Sequence, residues 1–268
     1  MTTMATATSD AKVRIVSLAP NVTSILLALG AGHELIGVSK WCADVADVGR
    51  RPQVGDCWKM NIDEVMRLKP TMLIGSVPFA PDTVAKILAE SVTFVAINPR
   101  SLADIASDIR TLGRIANRAA KAEKLILKMK QSFAAVSAAA KKKRAKYIPK
   151  VYCEAWPKPR ISSPPWVREL IEIAGGRMVG GAGQRVTDEE VARAQPDIIV
   201  LAWAATGDRA KPASALRNPA WRDVPAAMNR RVFVIRDELL NTPGPPLIKG
   251  AWELFRVIHG TSVREAEA

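Results

Sequence analysis

Apolar residues recur at steps of three and four along the middle of the chain, at Leu102, Ile105, Ile109, Leu112 and Ile115, then at Ala119, Ala122, Ile126, Met129, Phe133 and Val136. This period puts them on one helical stripe. Gly113 and Asn117 interrupt the stripe, and Gly or Asn commonly ends a helix. Two helices in series are therefore expected, over 102–115 and 118–145. At ~1.5 Å per residue the second is ~40 Å long. That is long for a helix inside a small domain and suits one crossing between two.

On both sides the pattern changes to short apolar runs alternating with helical segments. Ahead of the long helix, strands are expected over 14–18, 35–38, 72–75 and 92–97, with helices over 22–29, 62–68 and 82–90. Asn21 is placed to cap the first helix. After it, strands are expected over 150–154, 197–202 and 231–235, with helices over 166–174, 188–194 and 247–259. Segments 39–59, 155–165, 203–212 and 237–246 read as irregular. Strands alternating with helices predict an α/β protein with mostly parallel sheets. Ligands of such sheets sit at the carboxyl ends of the strands, so loops 19–21, 39–59 and 76–81 are candidate site loops. The expected organisation is an α/β lobe over 13–100, connecting helices over 101–147, and a second α/β lobe over 148–260.

An internal echo supports two lobes. NIDEVMRLKPTMLI (61–74) aligns without a gap with TDEEVARAQPDIIV (187–200), sharing Glu64/Glu190, Val65/Val191, Arg67/Arg193 and Pro70/Pro196. Each unit opens in capping-box form, with Asn61 or Thr187 accepting from the backbone while the Glu three residues on reaches back.

Charge is concentrated. Residues 114–150 hold twelve Lys or Arg and one acid, Glu123, so +11 of the chain's net +13 lies there. The remaining 27 basic and 25 acidic residues nearly cancel. The basic residues lack interleaved aromatics and neither half carries a nucleic-acid motif, so a solvated basic face is expected and no nucleic-acid partner. Three cysteines, Cys42, Cys57 and Cys153, are too few and scattered for a disulfide framework or zinc site. Free thiols are expected, with a Cys42–Cys57 bridge as the alternative. The two histidines, His33 and His259, leave little room for a His-based metal centre. No run reaches 18 apolar residues, and residues 1–12 show no secretory signal as written. A cytoplasmic location and a lost leader both stay open. The Ser-Pro-Pro and Gly-Gly segments lack a base partner, and GGAG (180–183) precedes no P-loop Lys. An enzyme is not expected, nor a resident cofactor or metal.

Taken together, RIVSLAPNVT (14–23), LGAG (29–32), LIGV (35–38) and the unit at 61–74 resemble the start of the helical-backbone substrate-binding proteins of ABC transporters. WVRELIEIAGG (166–176), the unit at 187–200 and TPGPP (242–246) continue the likeness. Within that class the cobalamin binders are nearest. The resemblance covers about 13–260. It implies two Rossmann-like lobes joined by one rigid helix, a ligand cleft between them, a permease dimer as partner, a monomeric receptor and an extracytoplasmic location. The chain departs from the family at Ser24, where Glu is common, and at 42–45 (CADV), where a Cys-x-Tyr-Pro-like segment is common.

The resemblance makes a corrinoid the expected ligand, with a ferric siderophore of the same fold or a leaderless cytoplasmic corrinoid-handling role as alternatives. Trp41, Trp58, Trp156 and Trp203 fall in loops at strand carboxyl ends, with Phe79 in another. Large planar residues there suit a macrocycle. Cys42 is a candidate contact to a ligand metal, and Arg160 and Arg209 are candidate counter-ions for an anionic chelate. Trp166, Trp221 and Trp252 read as core. Haem is disfavoured because Tyr147 and Tyr152 lie at the hinge. Asp63 and Glu189 hold matching places in the two units. The resemblance implies that one acid per lobe docks on the permease, with Glu64 able to share the role of Asp63.

Overall fold

The computed structural model describes residues 13–56, 58–143 and 147–260. The first lobe runs β1 (Ile15–Ser17), α1 (Pro20–Ala28), β2 (Leu35–Ser39), β3 (Gln53–Val54), α2 (Ile62–Arg67), β4 (Met72–Ser76), α3 (Pro81–Leu88) and β5 (Thr93–Ile97). Two helices follow, α4 (Leu102–Ile115) and α5 (Ala119–Lys143). The second lobe opens with β6 (Lys150–Pro157), β7 (Arg160–Ser162), α6 (Pro165–Ile173) and β8 (Arg177–Met178). It continues through α7 (Asp188–Ala194), β9 (Ile198–Leu201), α8 (Ala213–Leu216), α9 (Pro225–Met228), β10 (Val232–Val234), α10 (Asp237–Leu240) and α11 (Leu247–His259).

The first sheet has the order β3-β2-β1-β4-β5 and every pairing is parallel. Its order reverses between β1 and β4, so the loops after those strands open a crevice at their carboxyl ends. In the second sheet β6, β9 and β10 repeat the parallel arrangement of β1, β4 and β5, while β7 adds an antiparallel edge. The fold is thus α/β, with two mostly parallel lobes and a long helix between them.

The echoed segments are structurally equivalent. Val65 and Val191 are fully buried, as are Leu73 and Ile199 on the strands that follow. Lys69 and Gln195, each just before its proline, both take the left-handed conformation, with φ of 51° and 48°. Only the second unit completes the capping box, with Thr187 Oγ1 accepting from Glu190 N and Glu190 Oε2 accepting from Thr187 N. In the first, Asn61 Oδ1 accepts from Asp63 N, and Glu64 takes the Asn61 side-chain amide at 3.2 Å. The longer Asn side chain intercepts the carboxylate before it reaches the backbone.

α5 buries the stripe Ala122, Ile126, Met129 and Val136 and packs on α4, α6 and α11. Asn117 terminates α4 with φ 53°, and Arg118 N bonds back to Gly113 O, as in a Schellman end. Gly113 itself does not end the helix. A Cβ there would lie 2.6 Å from Ala122 Cβ, so this glycine allows α4 and α5 to touch. One hydrophobic core runs from α1 through α4 and α5 into α6 and α11. Leu102 N donates to Glu169 Oε1 on α6 at 3.0 Å. Gly244 packs against Ile25 and Ser24 of α1 and makes a second tie between the lobes.

Some expectations are corrected. α1 begins at Pro20 with Ala19 as cap, because Pro suits the first helical position, and Asn21 lies inside the helix. The irregular stretch 155–165 contains the β6–β7 hairpin, and 237–246 contains α10.

Candidate functional site

The carboxyl-end loops of both sheets enclose one cleft of about 400 Å³, within the usual range for ligand pockets. The first lobe supplies Leu18–Asn21 after β1, Trp41, Asp44 and Val45 after β2, Asp56 and Trp58 after β3, and Ser76–Pro78 after β4. The second lobe supplies Trp156 at the end of β6, Trp166, Ala204 and Ala205 after β9, and Asp237, Glu238, Asn241, Thr242 and Pro243 from α10 and its exit. The wall is mostly apolar and wide.

Three of the predicted tryptophans meet in this cleft. Trp41, Trp58 and Trp156 line it and stay 37%, 60% and 40% exposed. Trp41 is held in place: its Nε1 donates to Asp56 Oδ2 at 3.0 Å, and Lys40 Nζ lies 3.1 Å from the same oxygen and 4.8 Å from the indole. Burial alone would raise the Asp56 pKa, but hydrogen bonds from Trp41, Lys40 and the backbone of Lys59 and Trp58 hold it below the usual range. Trp156 Nε1 donates to Lys158 O at 2.9 Å, which leaves its face free.

The other candidates do not line the cleft. Trp203 Nε1 donates to Glu154 Oε1 at 2.8 Å and the ring packs on the core of the second lobe. Phe79 stacks edge-on against Phe94 at 5.5 Å and covers Gly75, where a Cβ would lie 2.5 Å from its ring. Cys42 is a fully buried free thiol that accepts from Thr23 Oγ1 at 3.0 Å and lies 3.2 Å from Ser39 Oγ. Burial raises its pKa against those bonds, so it behaves as a packed core thiol. Its alternative partner, Cys57, lies outside the described residues. Arg160 pairs with buried Glu154 and with Asp188 at 2.7 Å and covers the Trp221 ring at 4.3 Å. Burial opposes its charge, but the two carboxylates outweigh that and raise its pKa. Arg209 is spent on the carbonyls of Ala205 and Thr206. Trp221 is core as expected and Trp252 packs on Phe255. Trp166 is buried, yet it also forms part of the cleft wall, with Nε1 donating to Leu240 O.

Sequence reasoning missed the polar side of the cleft. Asp237 and Glu238 open α10 and Asn241 caps its end, in a stretch that looked like a Pro/Gly loop. Asp237 is pushed up to about 7 by burial first, then by the charges of Glu238 and Asp44, against backbone hydrogen bonds. Among the described lining residues there is no Lys, Arg, His, Tyr or Met. Tyr152, whose hydroxyl donates to Glu154, and Tyr147, whose hydroxyl donates to Asp197, face elsewhere.

Asp63, Glu64 and Glu189 are exposed at the starts of α2 and α7. On α7, Asp188 is engaged by Arg160 and Asn218, and Glu190 by the capping box. Glu189 interacts with the start of its own helix, where a first-turn amide and the capping Thr187 lower its pKa.

Comparisons with known proteins agree with this architecture. An ABC transporter substrate-binding lipoprotein of Bacillus subtilis (strain 168) is 25% identical over 262 residues, 94% of this chain and 82% of that one. A vitamin B12-binding protein of Pectobacterium atrosepticum is 23% identical over 250 residues, 90% of this chain and 86% of that one. Among solved structures, the periplasmic heme-binding protein RhuT from Roseiflexus sp. RS-1 in apo form superposes with a TM-score of 0.80 at 24% identity, covering 93% of this chain and 99% of that one. The periplasmic vitamin B12-binding protein BtuF of Vibrio cholerae gives 0.72 at 21% identity, covering 95% and 97%. At those identities the structural matches establish the fold alone. The family model for periplasmic binding proteins matches residues 15–239, and the chain belongs to that family.

Proposed function

We propose that this protein is the substrate-binding component of an ABC importer and that it holds cobalamin or a related corrinoid between its lobes. The observation that carries the reading is the cleft itself, where Trp41 and Trp58 from one lobe and Trp156 from the other present partly exposed indoles to one space. Flat rings from both sides suit a flat macrocycle, each buried apolar Å² contributing ~25 cal/mol. The vitamin B12-binding relatives support this choice. A haem iron or an anionic siderophore needs a Tyr or His ligand or basic counter-ions, and the described lining offers neither.

Asp63, with Glu64, and Glu189 form a two-point dock for basic residues of a permease dimer, one point per lobe. Their equivalent places in the repeated unit support that role. The lipoprotein relative supports a location outside the cytoplasm. Titration with cyanocobalamin, followed by Trp fluorescence and calorimetry, tests the reading. Quenching with saturation in the micromolar range is expected. No binding of cyanocobalamin or of any other corrinoid at about 100 μM, two orders of magnitude above the micromolar mark, overturns it.

A further inference from the structure

Every charged side chain among the described residues of the cleft is an acid: Asp44 and Asp56 on one lobe, Asp237 and Glu238 on the other. Two of these are compensated from outside the cleft. Lys40 Nζ lies 3.1 Å from Asp56 Oδ2, and Arg236 Nη2 lies 2.6 Å from Glu238 Oε1. Asp44 and Asp237 have no ion-pair partner among the described residues. They line the cleft from different lobes, and the charge of Asp44 is the smallest of the influences on Asp237, whose pKa is raised first by burial and then by Glu238.

A second observation points to a ligand. Asn21 lines the same cleft, is only 3% exposed, and its Nδ2 finds no hydrogen-bond partner. Across the cleft, Asn241 donates from Nδ2 to Ala202 O at 2.7 Å, while its buried Oδ1 is also unpartnered. Buried polar atoms are nearly always satisfied, so each such exception calls for an explanation. A ligand with peripheral primary amides supplies one for both. Its carbonyl accepts from Asn21, and its N–H groups donate to Asn241 Oδ1 and to the carboxylates. An anionic group set against Asp44 and Asp237 meets like charge with no base among the described lining residues, which costs binding.

Corrinoids carry such amides. They differ among themselves in the lower nucleotide, whose phosphodiester adds the one negative charge that complete cobalamin carries and cobinamide lacks. We propose that Asp44 and Asp237, one from each wall, make this cleft a receptor for phosphate-free, cationic corrinoids of the cobinamide type, in preference to complete cobalamin and against anionic chelates. This selectivity rests on the corrinoid reading above and sharpens it.

Competition titrations of the whole chain at pH 8 with aquacyanocobinamide, cyanocobalamin and hemin test the proposal. Cobinamide should bind at least about tenfold more tightly than cyanocobalamin, a difference well within what interfacial charge can supply. Hemin should compete with neither. Raising the salt concentration should narrow the ratio, since screening weakens exposed charge. Asp44 is exposed, so Asp44→Asn is expected to fold and should bring the ratio towards one. Adding Asp237→Asn should remove what remains, with circular dichroism checking the fold. If the double variant unfolds, the Asp44→Asn result decides alone. Equal affinities, tighter cobalamin binding or an unchanged ratio in Asp44→Asn overturn the inference and leave the corrinoid reading intact. If neither corrinoid binds the unaltered chain, the corrinoid reading falls, and the selectivity falls with it.

Discussion

The two lobes repeat one unit and differ in what they present to the cleft. α2 with β4 and α7 with β9 agree down to a left-handed residue before the proline. The loops beyond the strands share nothing comparable. The first lobe extends a long segment from β2 through β3, where Asp56 accepts from the Trp41 indole and the Trp58 backbone and pairs with Lys40. The second commits Trp203 and Trp221 to its interior, around the buried Glu154–Arg160 pair, and offers the cleft the polar edge of α10. One wall is therefore mainly flat and apolar, and the other is richer in polar groups. The repeat sets the scaffold, while the loops set what it holds.

The largest effect that sharpens this contrast is expected in the second lobe. Arg160→Ala leaves Glu154 buried without its guanidinium and should cost about 3–5 kcal/mol in chemical denaturation. A cost below about 1 kcal/mol would show that Trp203 and Tyr152 satisfy Glu154 unaided. Leu127→Pro, in the middle of α5, should cost about 3 kcal/mol and weaken ligand binding, since both lobes pack on that helix. Unchanged stability would mean that α5 does not organise the molecule. Trp41→Ala or Trp58→Ala should weaken corrinoid binding by about 1–2 kcal/mol, roughly 5–30-fold. Trp203→Phe, read by the same calorimetry, should leave affinity unchanged while lowering the melting temperature. Lys40→Ala removes a half-exposed lysine while Asp56 keeps its bonds to Trp41 and the backbone, and should shift stability by less than about 1 kcal/mol.

Much of the scaffold was legible in the sequence. The stripe from Leu102 to Val136 marked α4 and α5 because packing on both lobes imposes a helical period. Thr187 and Asn61 marked the starts of α7 and α2 through capping chemistry. The site was only partly legible. Loop position identified Trp41, Trp58 and Trp156, but the same argument admitted Trp203 and Phe79, which turn into their own lobes. Which way a loop aromatic faces depends on distant partners, here Glu154 and Phe94, that no local pattern reveals. Asp237 and Asn241 were missed because α10 is a single turn between an arginine and a Pro/Gly run, too short to show periodicity. Arg160 resembled a ligand counter-ion because its carboxylate partner Glu154 lies on the neighbouring strand of a hairpin that the prolines disguised.

The continuous core from α1 to α11 and the packing of Gly244 on α1 predict little closure on ligand. Ligand contacts shift an equilibrium only by their differential affinity for its states. Small-angle scattering with and without saturating corrinoid should show a change in radius of gyration below about 1 Å, whereas hinge-type closure gives a larger fall.

The central claim is that ligand sits against the indoles of both lobes in one cleft. The seven tryptophans of this chain each carry an indole N–H, and their resonances can be followed in a nitrogen-15-labelled sample titrated with corrinoid. The account predicts that Trp41, Trp58 and Trp156 shift together and saturate at one equivalent, while Trp203, Trp221 and Trp252 stay in place. Shifts confined to one lobe, or led by Trp203 or Trp221, would contradict it.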